Sequence, residues 1–192
     1  MTRVRGVFKP ADYSGPPDEA TMRDLARLFD RICPGDPDPQ FHGSQAGWAI
    51  LAAQSPKLAL MVLELTEYIA RETAWCGRRD LRELAIQTVN LHYRCEFSFR
   101  SHLAYARDAG VGAELLAAIP YWRTSSLFDD EQRLVIEYAN AVLSGDVPDA
   151  LFARAVEAYG EKGVIEFTSV VGCWSFWAML LNATRPEFAP KV

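Results

Sequence analysis

The chain has 192 residues, enough for one domain with a real core and marginal for two. Apolar residues make up 49% and charged residues 23%, the balance of a soluble globular protein, and a net charge of −5 with no dominant basic patch argues against nonspecific nucleic-acid binding. No basic stretch followed by an apolar run marks a signal peptide, and no apolar run approaches membrane-spanning length, so a cytoplasmic location is the expectation.

Residues 1–17 are basic and then rich in Pro and Gly (Pro10, Gly15, Pro16, Pro17), and read as an extended arm. A first helix is predicted over residues 18–32, with Leu25, Leu28, Phe29 and Ile32 on its apolar face. Pro34, Pro37 and Pro39 end it, because the ring removes a backbone donor and clashes with the preceding turn. A second helix follows over residues 44–54. Ser55 and Pro56 then offer an N-cap and a proline at the first helical position for a third helix running to about Trp75. Asp80 reopens the pattern, with Glu83 three residues on in capping-box spacing. A break is expected over residues 90–94, since Asn90 favours turns over helix interiors, and a new helix runs from Cys95 to Asp108 and stops at Gly110. A short helix over residues 112–119 ends at Pro120, and Tyr121, Trp122 and Arg123 lead into a polar link. Asp129 opens a helix to Leu143, another spans Pro148 to Tyr159 before Gly160, and the last runs from Lys162 or Gly163 to Asn182. Pro186 and Pro190 close the chain. With no alternating strand pattern anywhere, the expected class is all-α: a compact bundle of about seven or eight helices forming a single domain over residues 1–192.

Cys95, Ser98 and His102 fall at i, i+3 and i+7, on one face of one helix. Glu83 would lie roughly 18 Å from Cys95 along an unbroken helix, so it shares a site with them only if the chain folds back between. A helix starting near Cys95 would put the thiol in a first turn, beside Arg94 and Arg100, where positive charge favours a thiolate. Each residue also has a structural reading: Cys95 as a small buried apolar group, Glu83 as part of a cap, His102 as a hydrogen-bonded structural histidine. Tyr93, Phe97, Phe99, Trp122, Trp174 and Trp177 are either pocket wall or core. Cys33, Cys76 and Cys173 read as structural thiols without disulfide spacing. His42 and His92 have no ligand-spaced partner, so no metal is expected.

The pattern Glu83-x11-Cys95-x2-Ser98-x3-His102, with Ala106, Gly110 and Val111 downstream, resembles the carboxymuconolactone decarboxylase and alkylhydroperoxidase D superfamily. Asp129 to Ala139 and Val164 to Gly172 are similar to its later helices, and the likeness covers roughly residues 55–185, with residues 1–43 as an arm and first helix outside it. The resemblance implies an AhpD-like helical fold, a homo-oligomer (commonly a trimer or hexamer) and a site of Glu83, Cys95 and His102. In the peroxidase branch two cysteines are spaced CxxC and served by a glutamate–histidine proton relay. Ser98 stands here where the second cysteine would be, which removes a local dithiol cycle. The decarboxylase branch lacks both cysteines and keeps the histidine.

The first expectation is therefore acid/base chemistry without a cofactor, decarboxylation or isomerisation of a small carboxylate or lactone. His102 would be the acid/base group and Glu83 its orienting partner. Arg94 or Arg100 would hold a carboxylate, with Ser98, Phe99, Trp122 and Trp174 in the pocket. The alternatives are a one-cysteine peroxidase acting through Cys95, of peroxiredoxin type, and a non-catalytic oligomeric binding protein. Neither a nucleic acid nor a membrane is an expected partner.

Overall fold

The structure, a computed structural model, describes residues 2–187; Pro190 and the side chain of Cys76 lie outside that description. Eight α-helices follow one another with no strand among the described residues: α1 (Glu19–Ile32), α2 (Ala46–Gln54), α3 (Pro56–Arg71), α4 (Arg79–His92), α5 (Glu96–Asp108), α6 (Ala113–Ala118), α7 (Asp130–Ser144) and α8 (Asp149–Thr184). They fall into two compact units, one of the residues up to Thr66 with those from Leu180 on, the other from Glu67 to Met179.

In the first unit, α1 starts where its cap is strongest. The Asp18 carboxylate accepts the Thr21 N–H, and the helix buries Leu25, Leu28 and Phe29. Phe29 stacks on Phe41 at 4.1 Å. The N-terminal arm is extended but held along its length: Val7 is buried and donates its N–H to the Ala49 carbonyl, and Phe8 accepts from the Phe41 N–H.

The second unit is built around α4, which buries Leu81, Leu84, Ala85, Ile86 and Val89 together with Glu83, Gln87, Thr88 and Asn90. A helix buried nearly all round must satisfy its polar groups internally. Thr88 bonds back to the Leu84 carbonyl, Asn90 donates to Gln87, and Gln87 donates to the Phe99 carbonyl on α5. α4 packs against both α5 and α7. Arg78, before α4, bridges Asp80 and Glu131, reaching both Glu131 oxygens at 3.0 Å and so tying the starts of α4 and α7.

Several sequence expectations need correction. α3 stops at Arg71, and Trp75 follows in a separate 3-10 turn, buried against Phe167 and Tyr159. The Ala74 N–H that opens this turn is taken by Glu166 at 2.8 Å. The Asp80–Glu83 capping box does not form: α4 starts two residues earlier, with Arg78 as its N-cap, Asp80 turns to Arg78, and Glu83 faces inward. Asn90 lies inside α4, so the break is shorter than expected, Tyr93 to Cys95, turning through Arg94 at φ 51°. Finally, the part of α8 beyond Gly160 is more apolar than the run read from the sequence. One stretch of it, at mean hydropathy 1.6, is long and apolar enough to cross a membrane by length and composition, although 56% of it is buried in the fold. Scattered Ser, Thr and Glu166 hide that run from inspection. Gly160 interrupts the backbone of α8 at φ 69°, where the sequence placed a helix end.

Candidate functional site

The turn at Arg94 sends α5 back along α4. Cys95 is the N-cap of α5 and donates its N–H to the Asn90 carbonyl at 2.8 Å. This reversal brings Glu83, on the second turn of α4, to His102, on the second turn of α5. His102 Nδ1 lies 2.8 Å from Glu83 Oε2, and Glu83 is 3% exposed. A carboxylate so buried needs partners to remain charged, and it has two. His102 is one; Arg82 is the other, its guanidinium 3.8 Å from Glu83 Oε1 and donating to the Ala70 carbonyl.

The other imidazole nitrogen is also engaged. The Trp174 indole N–H, from α8, donates to His102 Nε2 at 3.0 Å, with the two rings edge-on at 80°. Tyr105 lies 5.5 Å from the same imidazole. Arg82–Glu83–His102–Trp174 thus forms a continuous polar chain inside the second unit.

Cys95 and Ser98 lie on the same face of α5 as His102, and both are buried. The thiol does not sit in the environment that a first turn implied. Burial pushes Cys95 above the ordinary thiol value of 9.0, and the backbone N–H groups of Ser98 and Phe97 only partly oppose this. A buried thiol held neutral is a poor nucleophile at physiological pH. Arg94 is exposed in the turn. Arg100 is exposed and paired with Glu96 at 2.8 Å. Phe99 contributes its carbonyl to Gln87. Trp122 lies on the segment after α6, with Arg123 over its ring at 4.4 Å and its carbonyl bonded by Arg133. Sequence reasoning did not single out Arg82 or Gln87. The available signal was polar residues on the inward side of an otherwise apolar helix.

No family model matches the chain. The uncharacterised protein YnjA of Escherichia coli is 34% identical over 91 residues, a match covering 46% of this chain and 50% of that protein's length. The uncharacterised protein YdfG of Bacillus subtilis is 19% identical over 140 residues, covering 71% of this chain and 93% of its own. Among solved structures, a protein of unknown function from Agrobacterium tumefaciens, suggested to be the antioxidant defence protein AhpD, superposes with TM-score 0.61 at 18% identity. That match covers 71% of this chain and 94% of the other. A cysteine-to-alanine variant of the debrominase Bmp8, in complex with 2,3,4-tribromopyrrole, superposes with TM-score 0.66 at 15% identity, covering 91% and 90%. The chain shares the all-α fold of these two solved structures.

Proposed function

We propose that the protein is an acid/base enzyme acting on a small carboxylate or lactone by decarboxylation or isomerisation, needing no cofactor. His102 moves the proton and Glu83 orients it. The observation that carries this reading is the 2.8 Å contact between Glu83 Oε2 and His102 Nδ1, with the carboxylate buried and the imidazole only partly so. A carboxylate on one ring nitrogen fixes the ring and stabilises the imidazolium formed when the other nitrogen takes a proton. Arg82 offsets the charge of Glu83 so that the pair can persist out of water.

His102→Ala should lower turnover of a β-keto acid or unsaturated lactone by about 10²–10⁴-fold, the usual contribution of a positioned acid/base group. Glu83→Gln should follow in the same direction while Cys95→Ala stays near wild type. Full turnover by His102→Ala would end this assignment.

The second reading is a thiol enzyme working through Cys95. It draws on the antioxidant and debrominase descriptions of the two structural neighbours. It would require the buried thiol to be uncovered and ionised during turnover, and Cys95→Ala would then be inactive. Under either reading we expect a homo-oligomer. Leu58, Met61 and Leu65 form an exposed apolar row on α3, surface of the kind a second copy covers.

A further inference from the structure

A neutral imidazole has one N–H donor and one bare acceptor nitrogen, whereas the imidazolium has two donors. An indole nitrogen can only donate. Trp174 Nε1 lies 3.0 Å from His102 Nε2, so while this bond holds Nε2 must be the bare nitrogen, and the ring proton sits on Nδ1, facing Glu83 Oε2 at 2.8 Å. The assignment follows from the donor-only chemistry of indole. It also excludes the imidazolium from this arrangement, because a proton on Nε2 would point at the indole N–H.

The surroundings of the ring hold this state in place. Glu83 approaches from α4 with Arg82 beside it, Tyr105 lies 5.5 Å away on α5, and Trp174, 6% exposed, approaches edge-on from α8. The lone pair that a proton-transfer imidazole uses is therefore present but covered. We propose that Trp174 is a positioning residue that keeps His102 as a base in the resting protein, its Nε2 lone pair parked on the indole N–H until a proton donor of the substrate takes that place. This rests on the reading of His102 as the acid/base group, and it adds an order of events and a substrate class.

The first proton moves from substrate to Nε2. The substrate is then a small carbonyl compound carrying an enolisable C–H or a hydroxyl, and not one whose first need is a proton. The X–H bond breaks, its electron pair stays on the substrate as an enolate, alkoxide or carboxylate, and the new Nε2–H bond makes an imidazolium paired with Glu83. Isomerisation closes when that same proton returns to a different carbon. In decarboxylation the bond that breaks first is the O–H of the substrate's own carboxyl group, the carbon–carbon pair freed by loss of CO2 becomes the enolate, and that enolate takes the proton back from Nε2. Either way proton and electrons balance without a further reactant.

The test is nuclear magnetic resonance on nitrogen-15-labelled protein in mildly alkaline buffer. The chain has three histidines, so His102→Gln assigns the resonance. Expected in wild type are a protonated Nδ1, a bare Nε2, and a scalar coupling across the hydrogen bond between His102 Nε2 and the Trp174 indole nitrogen. In Trp174→Phe, which keeps an aromatic ring and removes the donor, the coupling vanishes and the Nε2 resonance moves downfield to that of an unbonded acceptor, while Trp177→Phe leaves both in place. A merely space-filling Trp174 would not produce that coupling. A proton on Nε2 in wild type, an imidazolium under these conditions, or an indole resonance with no coupling would each overturn the proposal, even if Trp174→Phe failed to fold. If His102→Ala lost turnover while Nε2 proved protonated, the acid/base reading would stand and the base-first order would fall. Retained turnover in His102→Ala with the coupling intact would remove the reading itself, and the proposal with it.

Discussion

At the scale of single residues, burial governs what each group near the turn can do. Cys95 is 1% exposed and lifted above its ordinary value by desolvation, the neighbouring N–H groups notwithstanding. Iodoacetamide on the native protein should therefore label Cys33, which is partly exposed, well before Cys95, with peptide mapping to separate them. Because the folded-state value is raised, the neutral thiol's contribution to stability is present below the ordinary thiol value and lost as pH rises through the folded one. The Cys95 labelling rate should accordingly climb only in alkali. A Cys95 that reacts first at neutral pH would show that burial does not control it, and would move the thiol reading ahead. Glu83 illustrates the same principle with a different outcome: a charge that cannot reach water is kept by the two cations or donors placed against it, His102 and Arg82.

At the scale of elements, the α4–α5 reversal creates the dyad, and it turns on one strained residue. Arg94 occupies the left-handed region at φ 51°, where a Cβ costs roughly 1 kcal/mol relative to glycine. Being exposed, it makes no compensating burial. Arg94→Gly should raise stability by a few tenths to about 1 kcal/mol in urea unfolding, the gain trimmed by the extra freedom of glycine in the unfolded chain. A clear loss of stability would mean that the arginine side chain holds the turn. The ends of other elements follow their chemistry more simply. At α7, the Asp129 carboxylate takes the Gln132 N–H at 2.7 Å while the Gln132 side chain returns the favour to Asp129, and at α5 Gly110 follows the last turn at φ 87°.

At the scale of the whole molecule, the relevant quantity is apolar surface left uncovered. Met61 is 59% exposed and Leu58 and Leu65 are more than a third exposed, on one face of α3. Multi-angle light scattering should return a multiple of the 21.5 kDa chain mass, with three or six copies the expected numbers. A mass of one chain would withdraw the oligomer expectation and leave the row on α3 without a covering partner.

The class, the helix order and most boundaries were legible in the sequence because they depend on backbone partners within about four residues. Asp18 and Asp129 as caps, Pro56 at a first turn and Gly110 after a last one each act on the chain beside them. The common face of Cys95, Ser98 and His102 is likewise a matter of 3.6-residue geometry. Asp80 failed as a cap because Arg78 and Glu131, the latter 53 residues further on than Arg78, offered its carboxylate and the helix start a different arrangement. Only the tertiary structure could decide that Glu83 meets His102, that Trp174 arrives from 72 residues beyond His102 to cover its other nitrogen, and that Cys95 is dry. Desolvation and long-range hydrogen bonds are set by which helices pack together, and no local propensity encodes that distance.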